Sequence, residues 1–166
     1  MAVRKRPSDY QENSIRVLKG LEPVKSRPGM YTLTDNPLHI IQEVLDNASD
    51  EVLGGFGDTI TLTMCADGSV AVEDNGRGIP VGIHPSEGIP TVELVFTQLH
   101  AGGKFDKASG GAYSFSGGLH GVGVSVTNAL SQHLNVTVWR DGKQYDIGFA
   151  DGFVSEPLTE QPSSRG

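Results

Sequence analysis

Four polar side chains, Glu43, Asp46, Asn47 and Asp50, include pairs at spacings of three and four residues. In a helix such spacings place all four on one face. A carboxylate one turn from an amide oxygen can set a general base beside a magnesium ligand. The plainer alternative is a solvated helix face. The stripe by itself leaves both interpretations open.

A second cluster, DNGRG at 74–78, follows directly after a predicted strand. An aspartate at a strand end, here Asp74, can accept a hydrogen bond from an exocyclic amine. Gly76 and Gly78 let the backbone pass close to a flat ring, because glycine has no Cβ. The alternative is an ordinary turn of the Asp-Asn-Gly kind.

A third cluster, GGLHGVG at 117–123, opens a helix-like segment. Glycines allow backbone amides to turn inward, and the N-terminus of the following helix adds positive potential, so together they can bind phosphate. The spacing matches neither a P-loop nor a Rossmann turn. Taken alone, this loop is a weak indication of nucleotide binding.

The elements around these clusters are predicted from periodicity and turn residues. Helices and strands come in separate groups, which favours an α+β fold with one mostly antiparallel sheet and helices on one face. The predicted helices are a short one at 15–24 closed by glycine, one from Pro37 to Leu53 capped by Asn36, a helical or mixed segment at 91–99, and one at 121–133. The predicted hairpins join 59–65 to 69–74 across ADG and 134–140 to 143–149 across Asp141-Gly142, and 160–166 is predicted to be a loop.

Composition limits the classes of function. The 166 residues suit one domain, and the net charge of −7 disfavours non-specific binding to nucleic acid. The single cysteine, Cys65, offers neither an internal disulfide nor a zinc cluster, which points to a cytoplasmic setting. There is no apolar run of membrane-spanning length, so we expect no membrane association.

The order of the three clusters resembles the Bergerat nucleotide-binding fold of the GHKL ATPases, a two-layer α/β sandwich. VLKGLEPV, RPGMY, QEVLDNASDE, DNGRGIPVGIHP, LHAGGKF and SGGLHGVGVSVTNALS resemble the bacterial type II topoisomerase B subunits over most of residues 15–131. The short YTLTDNPLH, together with QEV and YDIGFADG, favours topoisomerase IV over gyrase. A MutL- or Hsp90-like clamp and a non-catalytic nucleotide sensor are the more distant alternatives.

The resemblance implies a role for each matching residue. Glu43 would activate the attacking water, and Asn47 would hold Mg²⁺ on the phosphates of ATP. Asp74 would read the adenine amine, with Gly78 lining the same pocket. Asp50 would support Glu43 or Arg77, or be purely structural. The other implied nucleotide contacts are Tyr10, Ile79, Lys104, Tyr113, Gly118, Leu119, His120, Gly121, Val122 and Gly123.

An inhibitor pocket of the aminocoumarin type is implied at the adenine end. Arg77, Ile79 and Pro80 would form its edge, and Arg140 matches the arginine that holds coumarin drugs. The complete set is Asn47, Asp50, Glu51, Asp74, Arg77, Gly78, Ile79, Pro80 and Arg140.

The resemblance also implies an organisation and partners. Residues 1–14 would be a flexible arm and 15–166 the ATPase domain, with a mobile ATP lid at about 100–120. ATP would close a homodimeric clamp and drive DNA strand passage together with an A subunit that cleaves the DNA. We expect a fragment truncated before a threonine-containing strand and the next domain: mostly monomeric, with little direct DNA binding, and binding ATP with little turnover.

Overall fold

The computed structural model describes residues 17–99 and 123–165 of the chain. Within them, four α-helices and five strands alternate in groups rather than singly, and a 3-10 helix, Pro28–Met30, lies between the first two helices. The helices are α1 (Glu22–Ser26), α2 (His39–Leu53), α3 (Thr91–Thr97) and α4 (Gly123–Leu130). The strands are β1 (Ile60–Met64), β2 (Val70–Asp74), β3 (His133–Arg140), β4 (Lys143–Ala150) and β5 (Phe153–Pro162).

The pairings of these five strands are antiparallel, as predicted. β1 pairs with β2, and β3, β4 and β5 form a second sheet in that order. The turn between β3 and β4 has both central residues in the left-handed region, Asp141 at φ 54° and Gly142 at φ 72°. Such turns match the twist of the flanking strands, which explains why Asp-Gly predicted this hairpin correctly.

The helices build two apolar clusters on either side of α4. One joins α1 to α4 through Leu21, Val24, Val126 and Ala129. The other packs α3 on the three-stranded sheet through Val92, Phe96, Val138, Ile147 and Phe149. α2 packs against β2 and α4, so it joins the two-stranded sheet to the helical layer.

Several predicted boundaries were wrong. The first helix begins at Glu22, after Gly20 rather than before it, because Gly20 adopts φ 55° and Pro23 suits the first helical turn. α2 begins two residues later than predicted, and Asn36 accepts a hydrogen bond from the amide of Leu38 instead of capping the helix. Residues 160–162 extend β5 rather than forming a loop, and the described strands form two hydrogen-bonded sheets rather than one.

None of the described helices is long and apolar enough to cross a membrane.

Candidate functional site

The candidate site is organised along one side of α2. Glu43, Asn47 and Glu51 follow one another at spacings of four residues, so they occupy successive turns of the same side. At the first of these turns, Gly123 of α4 lies against the side chain of Glu43. At the last, Gly76 after β2 lies against Glu51. Asn47 therefore lies between the start of α4 and the DNGRG segment.

Glu43 has a neighbour that the sequence prediction missed. Nδ1 of His39, one turn earlier on α2, lies 4.0 Å from Oε1 of Glu43, and both side chains are about one quarter exposed (23%). Nδ1 of His39 is also 2.8 Å from Oγ1 of Thr32. The spacing of four residues between His39 and Glu43 on a predicted helix would have indicated that the two side chains are neighbours.

The surroundings of Asn47 suit a magnesium ion held mainly by a nucleotide. Asn47 is half-buried, and no group of three or more acidic, histidine or cysteine side chains in the described residues could hold a metal ion. Mg²⁺ in nucleotide sites keeps several waters and takes one or two protein oxygens together with phosphate oxygens. The amide oxygen of Asn47 could serve as one such protein oxygen.

Asp74 ends β2 and is held in a tight local turn. Its Oδ1 accepts a hydrogen bond from the amide of Gly76 at 2.9 Å, which leaves Oδ2 for another donor. A Cβ at Gly76 would stand 2.8 Å from Oδ1 of Asp74 and 2.7 Å from Cβ of Glu51. Glycine at this position thus lets the segment pass between α2 and the carboxylate.

Gly78 lies where the same segment crosses β3. Its φ is 73°, and a Cβ there would be 2.9 Å from Cγ1 of Val138. Its carbonyl accepts a hydrogen bond from Nη1 of Arg140 at 3.3 Å. The structure therefore brings together Gly78 and Arg140, which the sequence placed at the same pocket.

Arg77 is fixed by a bidentate ion pair. Its Nε and Nη2 donate to the two carboxylate oxygens of Glu51 at 3.1 and 3.0 Å, and its backbone amide also donates to Glu51. The guanidinium stacks on Phe56, with 3.3 Å between Cζ and the ring centroid. Planar pairing and stacking of this kind fix the orientation of an arginine more firmly than an exposed ion pair alone.

Asn75 ties the DNGRG segment to the chain that enters β1. Its Oδ1 accepts hydrogen bonds from the amides of Asp58 and Thr59, and its Nδ2 donates to Oδ1 of Asp58 at 2.8 Å. The hydrogen bond from Asn75, followed by that from the Thr59 hydroxyl, lowers the pKa of the Asp58 carboxyl. These contacts give Asn75 a structural role in holding the DNGRG segment.

The remaining predicted residues divide into two groups. Ile79 packs on the cluster beneath β3 and β4, Pro80 is exposed, and Asp50 is fully buried on α2 (0% exposed). The others lie outside the described residues: Tyr10, Lys104, Tyr113, Gly118, Leu119, His120, Gly121 and Val122, with the predicted arm and lid.

Comparison with known proteins identifies the family. Residues 33–161 match the model of the histidine kinase-, DNA gyrase B- and HSP90-like ATPases, and this span includes α2 to α4 and all five strands except the end of β5. The chain belongs to this ATPase family. The predicted GHKL fold is thereby confirmed, and ATP is the nucleotide that the family assigns to the domain.

Within the family, similar bacterial proteins include B subunits of DNA topoisomerase 4 and of DNA gyrase. The chain is 53% identical over 150 residues to the B subunit of DNA topoisomerase 4 from Francisella tularensis. It is 54% identical over 156 residues to the B subunit of DNA gyrase from Rickettsia typhi. These alignments cover 90% and 92% of the chain but only 23% and 19% of the relatives.

Two solved structures share the fold at high identity. One is the topoisomerase IV ATP-binding domain of Francisella tularensis with a small-molecule inhibitor, at TM-score 0.71 and 48% identity over 86% of this chain and 64% of that one. The other is the 43K ATPase domain of Thermus thermophilus gyrase B with an aminocoumarin, at TM-score 0.72 and 43% identity over 89% and 36%. The predicted resemblance to type II topoisomerase B subunits is thereby confirmed.

Proposed function

We propose that this chain binds ATP as part of the ATPase domain of a bacterial type II topoisomerase B subunit, that of topoisomerase IV, and that the full-length protein hydrolyses it, with little turnover by the chain alone. The observation that carries the proposal is the side of α2 described above. One helix presents a carboxylate, an amide and a second carboxylate on successive turns, between the start of α4 and the DNGRG segment. A triphosphate beside the start of α4 and an adenine ring beside the DNGRG segment would match this order.

Glu43 is the general base in this proposal. Its carboxylate is partly exposed and so can reach a water molecule. Nδ1 of His39, which is hydrogen-bonded to Thr32, lies 4.0 Å from this carboxylate and adds a polar neighbour to it. Phosphoryl transfer depends mainly on positioning and charge stabilisation, so a fixed carboxylate is the group that this chain must supply.

Asp74 reads the adenine amine in this proposal. Oδ1 accepts the amide of Gly76, and the carboxylate has further lone pairs that can accept the exocyclic amine. Gly78 supplies a surface without a side chain, and Arg140 donates a hydrogen bond to the carbonyl of Gly78. Ile79 adds an apolar surface continuous with the core.

Asn47 would hold Mg²⁺, which neutralises phosphate charge when it is bound with ATP. The loop ending at Gly123 would supply backbone amides to the phosphates, with Lys104, Gly118, Leu119, His120, Gly121 and Val122 as its partners. Tyr10 and Tyr113 would contact the nucleotide from the arm and the lid. These assignments rest on the sequence resemblance.

The activity of the whole protein follows from the same proposal. ATP binding would close a homodimeric clamp on DNA, and an A subunit would cleave the DNA, in the bacterial cytoplasm. Aminocoumarins would bind across Asn47, Asp50, Glu51, Asp74, Arg77, Gly78, Ile79, Pro80 and Arg140. Residues 1–14 would act as the dimer arm and about 100–120 as the lid of a domain covering 15–166.

Calorimetric titration with a non-hydrolysable ATP analogue and Mg²⁺ tests the site. We expect saturable binding by the parent chain and a loss of about tenfold or more in Asp74→Asn, because the amide replaces a charged hydrogen-bond acceptor. Asp67→Asn makes the same chemical change at an exposed hairpin turn, where Asp67 bonds only to Ser69 among the described residues. Equal affinities for the two variants would contradict the assignment of Asp74.

Gyrase B is the second candidate, because the relatives of both kinds are almost equally similar. The two enzymes differ in the reaction of the full assembly. Reconstitution with the matching A subunit should give decatenation without negative supercoiling if the chain belongs to topoisomerase IV. ATP-dependent negative supercoiling would assign it to gyrase instead.

A further inference from the structure

Gly123 stands where a side chain would displace Glu43. It is the first residue of α4, and a Cβ built on it would overlap Oε2 of Glu43. The same Cβ would stand 3.1 Å from both Cβ and Cδ of Glu43. The backbone at the start of α4 and the carboxylate of Glu43 are therefore in direct contact.

A hydrogen bond one turn away keeps the two helices in this arrangement. Oγ1 of Thr127 donates to the carbonyl of Ile40 on α2 at 2.8 Å and lies 3.2 Å from the carbonyl of Gly123. Ile40 precedes Glu43 by three residues, so this bond fixes the turn of α2 that carries the carboxylate. Because Thr127 is buried, the bond is shielded from water.

The flexibility of the glutamate decides what a methyl group at position 123 would do. The overlapping atom is the end of a side chain, which can rotate away, whereas the backbones of α2 and α4 are held by Thr127. The added methyl would therefore redirect the carboxylate, and its 3.1 Å contact with Cβ of Glu43 would require a shift of only a few tenths of an ångström between the helices.

We propose that Gly123 is a positioning residue for the base: the first turn of α4 is the wall that sets the direction of the Glu43 carboxylate. The proposal rests on the function proposed above for Glu43. It gives Gly123 a role toward the base in addition to the phosphate contact that the sequence suggested.

The contact itself can be tested without any activity. In the chain labelled with ¹³C and ¹⁵N, nuclear Overhauser spectra should show cross-peaks between the Gly123 Hα protons and the Glu43 Hγ protons. Their absence from the assigned spectra of the folded chain would overturn the proposed wall, whatever the protein does with ATP.

The catalytic consequence is tested with Gly123→Ala in the full-length protein. We expect single-turnover ATP hydrolysis at saturating nucleotide to slow by about tenfold or more, because small displacements of a catalytic group are costly. The loss of affinity for the non-hydrolysable analogue should be clearly smaller than the loss of rate, because alanine keeps the backbone amide, and Tm should stay within about 3 °C. Gly82→Ala is the matched control, because a Cβ there meets nothing within 4 Å and its φ is not left-handed.

Two results would overturn the proposal. Unchanged hydrolysis in Gly123→Ala would show that the base does not need this wall. Equal losses of analogue affinity and hydrolysis rate would assign Gly123 to phosphate binding alone. If the parent protein binds no nucleotide while the Overhauser contact is present, the proposed function fails and the geometry stands.

Discussion

Glu43 shows how single residues set up the candidate site. Gly123 lies against its carboxylate at Oε2, and Nδ1 of His39 lies 4.0 Å from Oε1. His39 is in turn anchored by Thr32, which precedes α2. The stripe together with the family resemblance predicts Glu43 as the base, whereas the approach of Gly123 is visible only in the packing.

His39→Ala tests the histidine neighbour. We expect single-turnover hydrolysis to fall by about tenfold or more with little change in analogue affinity, since the histidine acts on the carboxylate rather than on the nucleotide. Rapid-quench measurements on the full-length protein would report it. His133→Ala, at the exposed start of β3, is the control. A loss shared by both variants would point to general destabilisation.

Asn75→Ala should change how stability depends on pH. In the folded chain the hydrogen bond from Asn75 is the main cause that lowers the pKa of Asp58. A lowered pKa stabilises the fold above the unfolded value of about 3.9, and this contribution is lost as the pH falls through the folded value. The deficit of the variant should therefore be larger at pH 7 than at pH 3.

Urea unfolding at both pH values measures this deficit. Thr59 still donates to Asp58 in the variant, so part of the pH dependence should remain. Asp67, whose pKa is lowered by hydrogen bonds from Ser69, is unaffected and provides the same background in both proteins. A deficit that is equal at pH 7 and pH 3 would contradict the role given to Asn75.

At the scale of elements, Gly78 joins the DNGRG segment to β3. Gly78→Ala should lower the free energy of unfolding by about 1–3 kcal/mol from its left-handed backbone alone, with a further loss from the contact with Val138. Gly68→Ala separates the two effects, because Gly68 has φ 87° and nothing within 4 Å of its Cβ position. Equal losses in urea titrations of the two variants would rule out a close approach of Gly78 to Val138.

Elements with a strong local signal could be predicted from the sequence. α2 has an apolar stripe and the β3–β4 hairpin has an Asp-Gly turn, so both appear nearly where expected. The end of β5 was missed because Pro162 and the following serines resemble a loop. Its ladder with β4 overrides that composition, and proline is tolerated there because β5 lies at a sheet edge.

In the candidate site, too, some residues could be predicted from the sequence, whereas other contacts required the tertiary structure. Glu43, Asn47 and Asp74 are found by residue type and order, because each lies on or directly after a regular element. The Arg77–Glu51 pair and the contact of Gly123 with Glu43 depend on which elements pack together. No local pattern encodes those approaches, so tertiary structure was needed to find them.

At the scale of the whole molecule, α4 is the helix on which the others converge. It packs against α1, α2 and α3, and its residues Ser125 to Ala129 are all buried. The helix therefore joins the candidate site at its first residue to both apolar clusters. A change inside α4 should affect the entire domain rather than one loop.

Asn128 is the polar centre of this arrangement. It is 1% exposed, and its Nδ2 donates to the carbonyls of Phe96 on α3 at 2.9 Å and Gly152 in the β4–β5 turn at 3.3 Å. Within the described residues its Oδ1 has no hydrogen-bond partner. One side chain thus links α3, α4 and the three-stranded sheet through donors that only the amide supplies.

Asn128→Asp tests whether stability depends on the hydrogen bonds that Nδ2 of Asn128 donates. The ionised carboxylate would face two carbonyl oxygens in the interior, so we expect a loss of about 3–5 kcal/mol in the free energy of unfolding at pH 7. Burial would raise the pKa of the new carboxyl, so the folded state would bind a proton more tightly than the unfolded state. Its stability should therefore recover relative to the parent as the pH falls from 7 to 5 and be lost again as the pH rises.

Asn128→Ala is the matched variant, because it removes the same donors without adding a titratable group. Its deficit, about 2–4 kcal/mol from the unpaired carbonyls and the small cavity, should not depend on pH over that range. Urea titrations of the parent and both variants at pH 5 and pH 7 would separate charge from lost hydrogen bonding. A pH-independent deficit in Asn128→Asp would mean that water reaches position 128 and that α4 is not sealed at the centre of the domain.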